Sequence, residues 1–412
     1  FLRLLLRSFK YPEYLKRWNE RWGISSDSPS ENRKVLWVHA VSVGEVNASI
    51  PLIRSMLETY KNIEILVTTT TLTGSQILLN KMGTRVKHQY MPLDIPFCVN
   101  KFLDKWRPKA LLLLETEIWP NLLEICEQRN IFTALVNARL SEKSKINYKR
   151  VKPLIASALN KLDLLIAQYN SDAVRFKEIN PEVEVLLCGN LKFDQEIPEQ
   201  ITSISNSIRE SWSKNGTKRP TLIASSTHES EEKFVLDSFK QVLSLIPQSL
   251  LIIVPRHPER FDQVYRLINE TTLVVARRSK KEDVTENTQV LLGDTMGELN
   301  FLYSVSDIAF VGGSLIDHGG QNLLEPAALG LPICSGSSLR NFQEIADELQ
   351  DNDALFIVRN EKDLTDFFLK LINNPSDMKE IGNKSQLVFQ KNRGALDKIT
   401  TLLDKKLPNF LI

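Results

Sequence analysis

Two stretches of the chain combine a strand-like apolar run with a bend of small residues and a glutamate in the helix that follows. The first, VLWVHAVSVGEVNAS, has Gly44 at the bend and Glu45 at the helix start. The second, DIAFVGGSLIDHGGQNLLEPAALGLP, bends at Gly312–Ser314 and carries Glu325 in its helix. In open α/β sheets, ligands gather where strands end and helices begin, because free backbone N–H groups and the helix dipole point there. The two turns therefore predict two halves that close on one anionic substrate.

Glu45 is the first candidate for acid–base chemistry. A partly desolvated glutamate beside a ligand could take a proton from an attacking hydroxyl. Gly44 would let a substrate approach the backbone closely, and Ser42 precedes the same helix. The alternative is structural, because a carboxylate in the first turn of a helix is favoured by the helix dipole and could act only as a cap.

A second acidic site follows the apolar run in LLLLETEIWPN. Glu115 and Glu117 come directly after this predicted strand, and Asn121 lies at the start of the next helix. Because side chains alternate along a strand, at most one of the two carboxylates is expected to face a ligand comfortably. Burial of either without a cation would be costly, and Arg139 and Lys192 are the candidate partners. The alternative is an internal lattice of ion pairs that holds the site.

The second half of the chain offers groups suited to a phosphate. Ser226 and Thr227 follow a predicted strand in ASSTHESEE, and small hydroxyl residues at a helix N-terminus bind phosphate oxygens well. The alternative for Thr227 is an N-cap with Glu231 or Glu232 nearby.

Arginine and glutamate complete the nucleotide side of this prediction. Arg256 and His257 lie at the tip of VPRHPERF, where arginine fits a bidentate grip on phosphate or carboxylate. For His257 a structural role is the alternative. Glu325 is placed to accept hydrogen bonds from ribose hydroxyls, and Asn322 lies one turn earlier.

Composition excludes several classes of function. A chain of 412 residues predicts two domains, and a net charge of +2 argues against a nucleic-acid partner. No GxGxxG or GxxxxGK[ST] motif follows a first strand, which argues against nicotinamide and P-loop chemistry. There is no HExxH and no clustered His/Asp set, so neither a metal ion nor another cofactor is implied. Four scattered cysteines, none in CxxC spacing, are expected to be core thiols in a reducing compartment. They are Cys98, Cys126, Cys188 and Cys334.

The first 22 residues are apolar, aromatic and basic together. Six Lys or Arg residues face two Glu residues there, and the apolar run is too short and too interrupted to span a bilayer. Tyr14, Trp18 and Trp22 recur at four-residue spacing, which predicts one face of a helix. Such a face suits a membrane–water interface; the alternative is that it packs on the domain.

Apolar runs alternate with helical patterns from residue 35 onward, which predicts an α/β fold of two doubly wound, Rossmann-like domains facing a cleft, the GT-B architecture. The polar stretch SISNSIRESWSKNGTKRP places the boundary within residues 195–220. The predicted organisation is a membrane-proximal segment 1–34, an acceptor domain 35–205 and a nucleotide domain 206–412, whose last helix could cross back. Predicted strands cover residues 35–41, 63–69, 110–114, 132–137, 163–168, 183–188, 221–224, 250–254, 272–276, 290–292, 307–311, 331–334 and 355–358.

The motifs, taken together, closely resemble the 3-deoxy-D-manno-octulosonic acid (Kdo) transferases, the lipid A-modifying enzymes of Gram-negative bacteria. The resemblance runs in order from about residue 11 to residue 345. YPEYLKRWNERWG is similar to the family's segment after its membrane anchor, and the anchor itself is expected to be absent or truncated here. The matching motifs are VHAVSVGE, TTTTLTGSQ, PLDIP, ETEIWPN, NARLSEKS, GNLKFD, ASSTHESEE, PRHPERF, GDTMGEL and FVGGSL…HGGQNLLEPAALGLP.

This resemblance implies a metal-independent transferase that moves Kdo from CMP-Kdo to the primary hydroxyl of a lipid A precursor (lipid IVA), with inversion. The reaction belongs to lipopolysaccharide inner-core biosynthesis, at the cytoplasmic face of the bacterial inner membrane. Glu45 matches the family's general base, and Glu115 or Glu117 with Arg139 fall in the acceptor-side motif, with Glu117 favoured.

On the donor side, the resemblance makes Arg256 a catalytic residue and assigns a set of neighbours to CMP. The CMP-binding set is Ser226, Thr227, His257, Gly312, Gly313, Ser314, Asn322 and Glu325.

Two other functions are compatible with parts of the sequence. Another GT-B transferase or epimerase with a different sugar nucleotide would share the Gly312–Ser314 turn and Glu325, and binding of CMP rather than UDP separates the two. A two-domain binding protein without catalysis would bind its ligand equally well after Glu45→Gln.

Overall fold

The computed structural model describes residues 16–194, 200–213 and 216–411. These residues divide into two compact units. The first unit contains residues 16–194 and 392–411, so the end of the chain returns to it. The second unit contains residues 200–213 and 216–391.

The first unit is built on a parallel sheet of seven strands in the order β3-β2-β1-β4-β5-β6-β7. Its strands are β1 (Lys34–His39), β2 (Ile63–Thr69), β3 (Lys87–Tyr90), β4 (Ala110–Leu114), β5 (Phe132–Ala138), β6 (Leu164–Ala167) and β7 (Leu186–Leu187). Its helices are α1 (Val43–Thr59), α2 (Leu72–Met82), α3 (Pro96–Trp106), α4 (Pro120–Gln128), α5 (Glu142–Lys149), α6 (Lys152–Asn160), α7 (Asn170–Ile179), α16 (Ala395–Asp404) and α17 (Pro408–Leu411).

The central strands of this sheet are apolar because both of their faces are covered. Every residue of β2 and β4 is buried. Along β1, Leu36 and Val38 belong to one apolar layer, while Trp37 belongs to the other. This two-sided burial is typical of parallel sheets with helices on both faces.

The described part of the amino-terminal segment does not form the predicted aromatic face. Residues Trp18–Trp22 form a 3₁₀ helix, in which positions four apart are about 120° apart rather than stacked. Tyr14 lies outside the described residues. Arg21 is buried and donates to Thr70 O at 2.9 Å, and Arg17 pairs with Glu20 at 2.6 Å. Of these two cations, Arg21 is therefore used inside the protein, while Arg17 is exposed and paired at the surface.

The carboxyl-terminal helices complete the core of the first unit. Asp194 accepts hydrogen bonds from the backbone N–H groups of Gly394 and Leu396, both at 2.7 Å. Leu403 and Leu407, both fully buried, belong to the same apolar layer as Leu36 and Val38 of β1. Residues 392–411 are thus an integral part of the first unit.

The second unit contains another parallel sheet of seven strands, in the order β10-β11-β9-β8-β12-β13-β14. Its strands are β8 (Thr221–Thr227), β9 (Leu250–Pro255), β10 (Val275–Arg277), β11 (Val290–Leu292), β12 (Ile308–Val311), β13 (Ile333–Ser335) and β14 (Leu355–Ile357). Its helices are α8 (Gln200–Ser211), α9 (Glu231–Leu245), α10 (Phe261–Asn269), α11 (Leu299–Ser304), α12 (Leu324–Ala328), α13 (Gln343–Asp351), α14 (Glu361–Asn373) and α15 (Pro375–Lys391).

Helix α8 explains where the second unit begins. Arg209 on this helix pairs with Asp307 at 2.5 Å, and Asp307 also accepts from the N–H of Thr221 at the start of β8. The helix therefore belongs to the second unit, and the boundary lies about ten residues before the predicted position at 205.

Two further sequence-based expectations can be compared with the structure. The four cysteines are free and buried, as predicted. Among the described helices, none has the length and apolar character needed to cross a membrane.

We expect Leu403→Ala to destabilise the first unit by about 3 kcal/mol, because it leaves a cavity in a fully buried layer. Urea unfolding followed by tryptophan fluorescence measures this, since Trp212 is the only one of the six tryptophans outside the first unit. Leu79→Ala is the matched control, because Leu79 is 42% exposed. Equal losses from the two substitutions would contradict the packing of the carboxyl-terminal helices described here.

Candidate active site

The first candidate site lies at the carboxyl ends of β1 and β4. These two strands are neighbours in the sheet, and the chain winds away from them in opposite directions. Such a switch point is where doubly wound sheets bind ligands. Glu45 begins the helix after β1, while Glu115 and Glu117 follow β4. The topology thus brings the predicted acidic residues of the first unit to one edge.

Glu45 is held by a variant of a capping box. Ser42 is the N-cap of α1, and its hydroxyl lies 3.5 Å from the N–H of Glu45 and donates to Glu45 Oε1 at 2.9 Å. Glu45 Oε2 accepts from the backbone N–H of Val41 at 2.8 Å. The structural role considered from sequence is therefore real, because Glu45 satisfies groups that would otherwise be orphaned at the helix start.

Capping does not exhaust the chemistry of Glu45. Burial is the largest cause that raises its pKa from 4.5 to about 7, followed by repulsion from Glu115 and, more weakly, from Glu117. The hydrogen bonds from Val41 and Ser42 act in the opposite direction. A carboxylate with a pKa near neutrality suits a general base, because it is both ionised and basic enough at working pH.

Glu115 and Glu117 do not alternate as the sequence predicted. Glu115 has a left-handed backbone with φ 57°, so the strand geometry stops before it and the period of two no longer applies. Both carboxylates are half-buried, and both raise the pKa of Glu45. The strand alternation on which the expectation rested therefore does not apply here, and which carboxylate faces a ligand stays a prediction.

The two carboxylates have different cationic neighbours. Lys192 Nζ lies 3.0 Å from Glu115 Oε1, which agrees with one of the two partners considered from sequence. Glu117 Oε2 accepts from Trp119 Nε1 at 2.8 Å and lies 3.6 Å from His39 Nε2. His39 was not predicted, because a single histidine inside an apolar strand looks like an ordinary core residue.

Arg139 and Asn121 do not form ion pairs with the acidic residues Glu45, Glu115 and Glu117 within the described residues. No carboxylate within the described ranges pairs with the half-buried Arg139, whose backbone carbonyl accepts from the hydroxyl of Thr116. Asn121 is exposed, and its side-chain Nδ2 donates to Asp94 O at 2.9 Å. Asp94 also accepts from the N–H of Leu122, so this contact caps α4. Arg139 thus has no carboxylate partner in the described part of the chain, whereas Asn121 is engaged in structure.

The second candidate site lies at the equivalent edge of the second unit, where β8 and β12 are neighbours. The glycine turn after β12 is already occupied by a side chain. The N–H groups of Gly313, Ser314 and Leu315 donate to the Glu231 carboxylate at 2.7, 3.0 and 3.0 Å. The N–H of His228 adds a fourth contact at 2.9 Å. These amides are therefore committed to a protein carboxylate rather than open to a phosphate.

The residues after β8 form a tightly packed support. A Cβ on Gly312 would lie 2.8 Å from Ser226 O and from Thr227 Cα, so only glycine fits at that position. The buried hydroxyl of Thr227 donates to Glu232 Oε1 at 2.9 Å. Arg260 grips the same carboxylate at 2.6 and 3.1 Å. Thr227 is thus engaged with Glu232, while the half-buried Ser226 has a left-handed backbone with φ 52°.

Three of the five histidines of the chain meet beside this turn, which the sequence did not reveal. His228 stacks on His318 with ring centroids 4.3 Å apart. His257 contacts the ring of His228 edge-on, with centroids 5.2 Å apart. Burial, and then the neighbouring histidines and arginines, lowers the pKa of His228 to about 4. Its neutral Nε2 lies 3.3 Å from the side-chain nitrogen of Gln321.

Arg256 is the cation of this edge that is left without a counter-ion. Its Nε donates to Gln321 Oε1 at 3.3 Å, and no carboxylate of the described segments pairs with its guanidinium. Its backbone N–H donates to Thr227 O, which fixes the start of its loop beside β8. A half-buried, unpaired guanidinium is suited to an anionic ligand.

Asn322 and Glu325 contact each other. Asn322 Nδ2 donates to Glu325 Oε1 at 3.1 Å, and Asn322 Oδ1 accepts from the N–H of Leu324. Both bonds are local to the start of the short helix α12. Within the described residues, no group of three or more His, Cys, Asp or Glu side chains is arranged to hold a metal ion.

The chain matches two protein families. Residues 16–195 match the family described as 3-deoxy-D-manno-octulosonic-acid transferase (kdotransferase), and residues 207–388 match glycosyl transferases group 1. The 3-deoxy-D-manno-octulosonic acid transferase of Haemophilus influenzae is 38% identical over 400 residues, which are 97% of this chain and 93% of that protein. The enzyme of the same name from Bordetella pertussis is 31% identical over 377 residues, 89% of this chain and 86% of that protein.

A solved structure shows the fold independently of the sequence. The UDP-GlcNAc 2-epimerase from Neisseria meningitidis, bound to UDP-GlcNAc, is 15% identical and superposes with a TM-score of 0.60. The match covers 90% of this chain and 100% of that one. The predicted fold class, two doubly wound α/β domains of the GT-B type, is confirmed.

We expect the stability of the first unit to fall as the pH rises through about 7. The pKa of Glu45 is about 7 in the folded protein and near 4.5 when exposed, so the folded state holds this proton more tightly. Its contribution is full below pH 4.5 and is lost above pH 7, a change of about 3 kcal/mol at most. Urea unfolding followed by tryptophan fluorescence at pH 5 to 8.5 measures this slope.

The matched variants are Glu45→Gln, which should remove this part of the slope, and Glu58→Gln, which should retain it. Glu58 is exposed on the same helix. An unchanged slope in Glu45→Gln would show that the pKa of Glu45 is not raised by folding.

Proposed function

The chain belongs to the Kdo transferase family, and from that premise we propose that it transfers Kdo from CMP-Kdo to the primary hydroxyl of a lipid A precursor such as lipid IVA, with Glu45 as general base. The observation that carries this proposal is a buried glutamate with a pKa near 7 at the switch point of the first unit. A glutamate that served only as a helix cap would be better placed with its pKa low and its charge solvated.

The proposed chemistry is a single displacement. The acceptor hydroxyl gives its proton to Glu45 as its oxygen bonds to the anomeric carbon of Kdo. The bond from that carbon to the CMP phosphate breaks, and its electron pair leaves with CMP. In a single displacement the hydroxyl attacks the face of the anomeric carbon opposite to the departing phosphate, so the anomeric configuration inverts. Proton transfer to a positioned base is typically worth about 10² to 10⁴ in rate.

The second unit is the proposed donor side. The Gly312–Ser314 turn is not the expected phosphate cradle, because Glu231 occupies its amides. Arg256 is the group suited to the phosphate, and Gln321 aims its guanidinium through Nε. A fixed cation at a leaving phosphate stabilises the charge that develops there. We propose that this arrangement supports departure of CMP without a metal ion.

Arg139 is the proposed cation for the anionic substrate on the first unit. Lys192 is already paired with Glu115. Arg139 has no ion-pair partner in the described part of the chain and follows the strand next to β4. It can therefore take an anionic group of the acceptor without disturbing the carboxylates around Glu45.

Membrane contact is proposed for one surface of the first unit. Gly23 packs directly on α3, since a Cβ there would lie 2.3 Å from Cys98 O. This contact brings exposed apolar side chains together, with the ammonium of Lys101 over the ring of Phe97. An apolar surface with basic residues suits the cytoplasmic face of an anionic membrane. The exposed side chains are Trp22, Ile24, Ile95 and Phe97.

We expect Glu45→Gln to lower acceptor-dependent release of CMP from CMP-Kdo by about a hundredfold or more. In the wild type, kcat/KM should rise with pH through about 7, because the base acts only when it is deprotonated. The measurement compares CMP release with and without tetraacyl lipid A precursor in detergent, and the anomeric configuration of the product tests inversion.

Glu58→Gln is the control, because it removes a carboxylate from the exposed side of the same helix. A nearly unimpaired Glu45→Gln enzyme would leave Glu45 as a cap only. No acceptor-dependent release by folded wild-type protein would refute the proposed reaction, and release from a UDP-sugar instead would point to another sugar nucleotide.

We expect Arg256→Gln to weaken CMP binding by about tenfold or more, because a charge-assisted contact contributes about 1.5–3 kcal/mol. Calorimetric titration with CMP measures this directly. Arg266→Gln is the control, since Arg266 is exposed on α10. If both variants bind CMP like the wild type, the phosphate contact lies elsewhere.

A further inference from the structure

His39 lies at the carboxyl end of β1, and its side chain is fully buried. Its Nδ1 is 3.1 Å from Thr68 O and 2.9 Å from Thr68 Oγ1. A carbonyl oxygen can only accept, whereas the hydroxyl of Thr68 can accept as well as donate. Both contacts of Nδ1 are therefore satisfied together when Nδ1 carries a hydrogen and donates it.

The other ring nitrogen faces the acidic cluster. Nε2 has no hydrogen-bond partner within the described residues, and Glu117 Oε2 lies 3.6 Å from it. In a neutral ring with hydrogen on Nδ1, the bare lone pair of Nε2 would point at the lone pairs of a carboxylate. A proton on Nε2 converts this repulsion into an ion pair in a site shielded from water.

We propose that His39 is an imidazolium that serves as the counter-ion of Glu117 and thereby positions the charges around Glu45. This inference rests on the proposed function, in which Glu45 is the base. Because its side chain is fully buried, we assign His39 the role of a positioning residue. No proton leaves it during turnover, because the hydroxyl proton goes to Glu45.

The charge balance of the site gives His39 its effect. Glu45 experiences two carboxylates, and Lys192 compensates Glu115 at 3.0 Å. His39 would compensate Glu117 in the same way. The other groups in contact with the imidazole within the described residues are uncharged: Thr68 on β2, and Trp119, whose ring centroid is 6.5 Å away. Without the imidazolium, Glu45 would face an unbalanced negative charge and would lose its proton only at higher pH.

We expect His39→Gln to move the acidic limb of the kcat/KM profile upward by roughly half to one pH unit. The matched control is Trp37→Phe. Trp37 is on the same strand and equally buried, and its indole donates to the same Thr68 hydroxyl at 2.8 Å, but it carries no charge. An unmoved limb in His39→Gln, or an equal movement in both variants, would overturn the proposal.

A second measurement holds even if His39→Gln fails to fold. Nitrogen-15 spectra of histidine-labelled wild-type protein at pH 7 should show one imidazolium that becomes neutral in Glu117→Gln. A neutral His39 in the wild type would refute the ion pair. This readout does not depend on catalysis, so an active Glu45→Gln enzyme with an intact imidazolium would reject the base and keep the ion pair.

Discussion

Backbone N–H groups at the carboxyl ends of the central parallel strands need acceptors, and both units meet this need with a glutamate in the first helix after the first strand. The sheet orders make β8 the counterpart of β1, so Glu231 corresponds to Glu45. Glu231 accepts from four backbone N–H groups and is fixed as a structural anion. Glu45 receives one backbone N–H and one hydroxyl, and two other carboxylates act on it. The same position is therefore structural in one unit and chemically poised in the other.

This difference determines how each unit can meet an anionic substrate. In the second unit Glu231 accepts from the turn amides, so we assign the proposed recognition to side chains, with Arg256 left unpaired among the described residues. In the first unit the incomplete satisfaction of Glu45 costs folding free energy whenever it is ionised. A buried carboxylate with a perturbed pKa is a candidate for a chemical role, and proton abstraction is the role that we propose for Glu45.

The sequence predicted most of the sheets because buried parallel strands are continuous apolar runs. Strand β3 was missed, since KHQY is polar and is recognised only through its pairing with β2. The predicted alternation of Glu115 and Glu117 failed because Glu115 adopts a left-handed backbone that ends the strand. Glutamate is not a residue type that indicates such a conformation. The occupation of the glycine turn was also invisible: Glu231 is 82 residues away from Gly313 in sequence, and only the tertiary fold joins them.

Charge balance connects the acidic cluster with the substrates it is proposed to bind. An anionic sugar donor and an anionic acceptor would be repelled by three unbalanced carboxylates, and this repulsion would be strong in a partly buried site. Lys192 lies beside Glu115, and His39, the proposed imidazolium, lies beside Glu117. Local pairing of this kind leaves Arg139 without a carboxylate partner among the described residues, so that its guanidinium remains suited to a bound anion. The cluster can then keep the pKa of Glu45 raised without a net negative charge that repels anions from the site. A general base that acts on two anionic substrates has to meet both conditions.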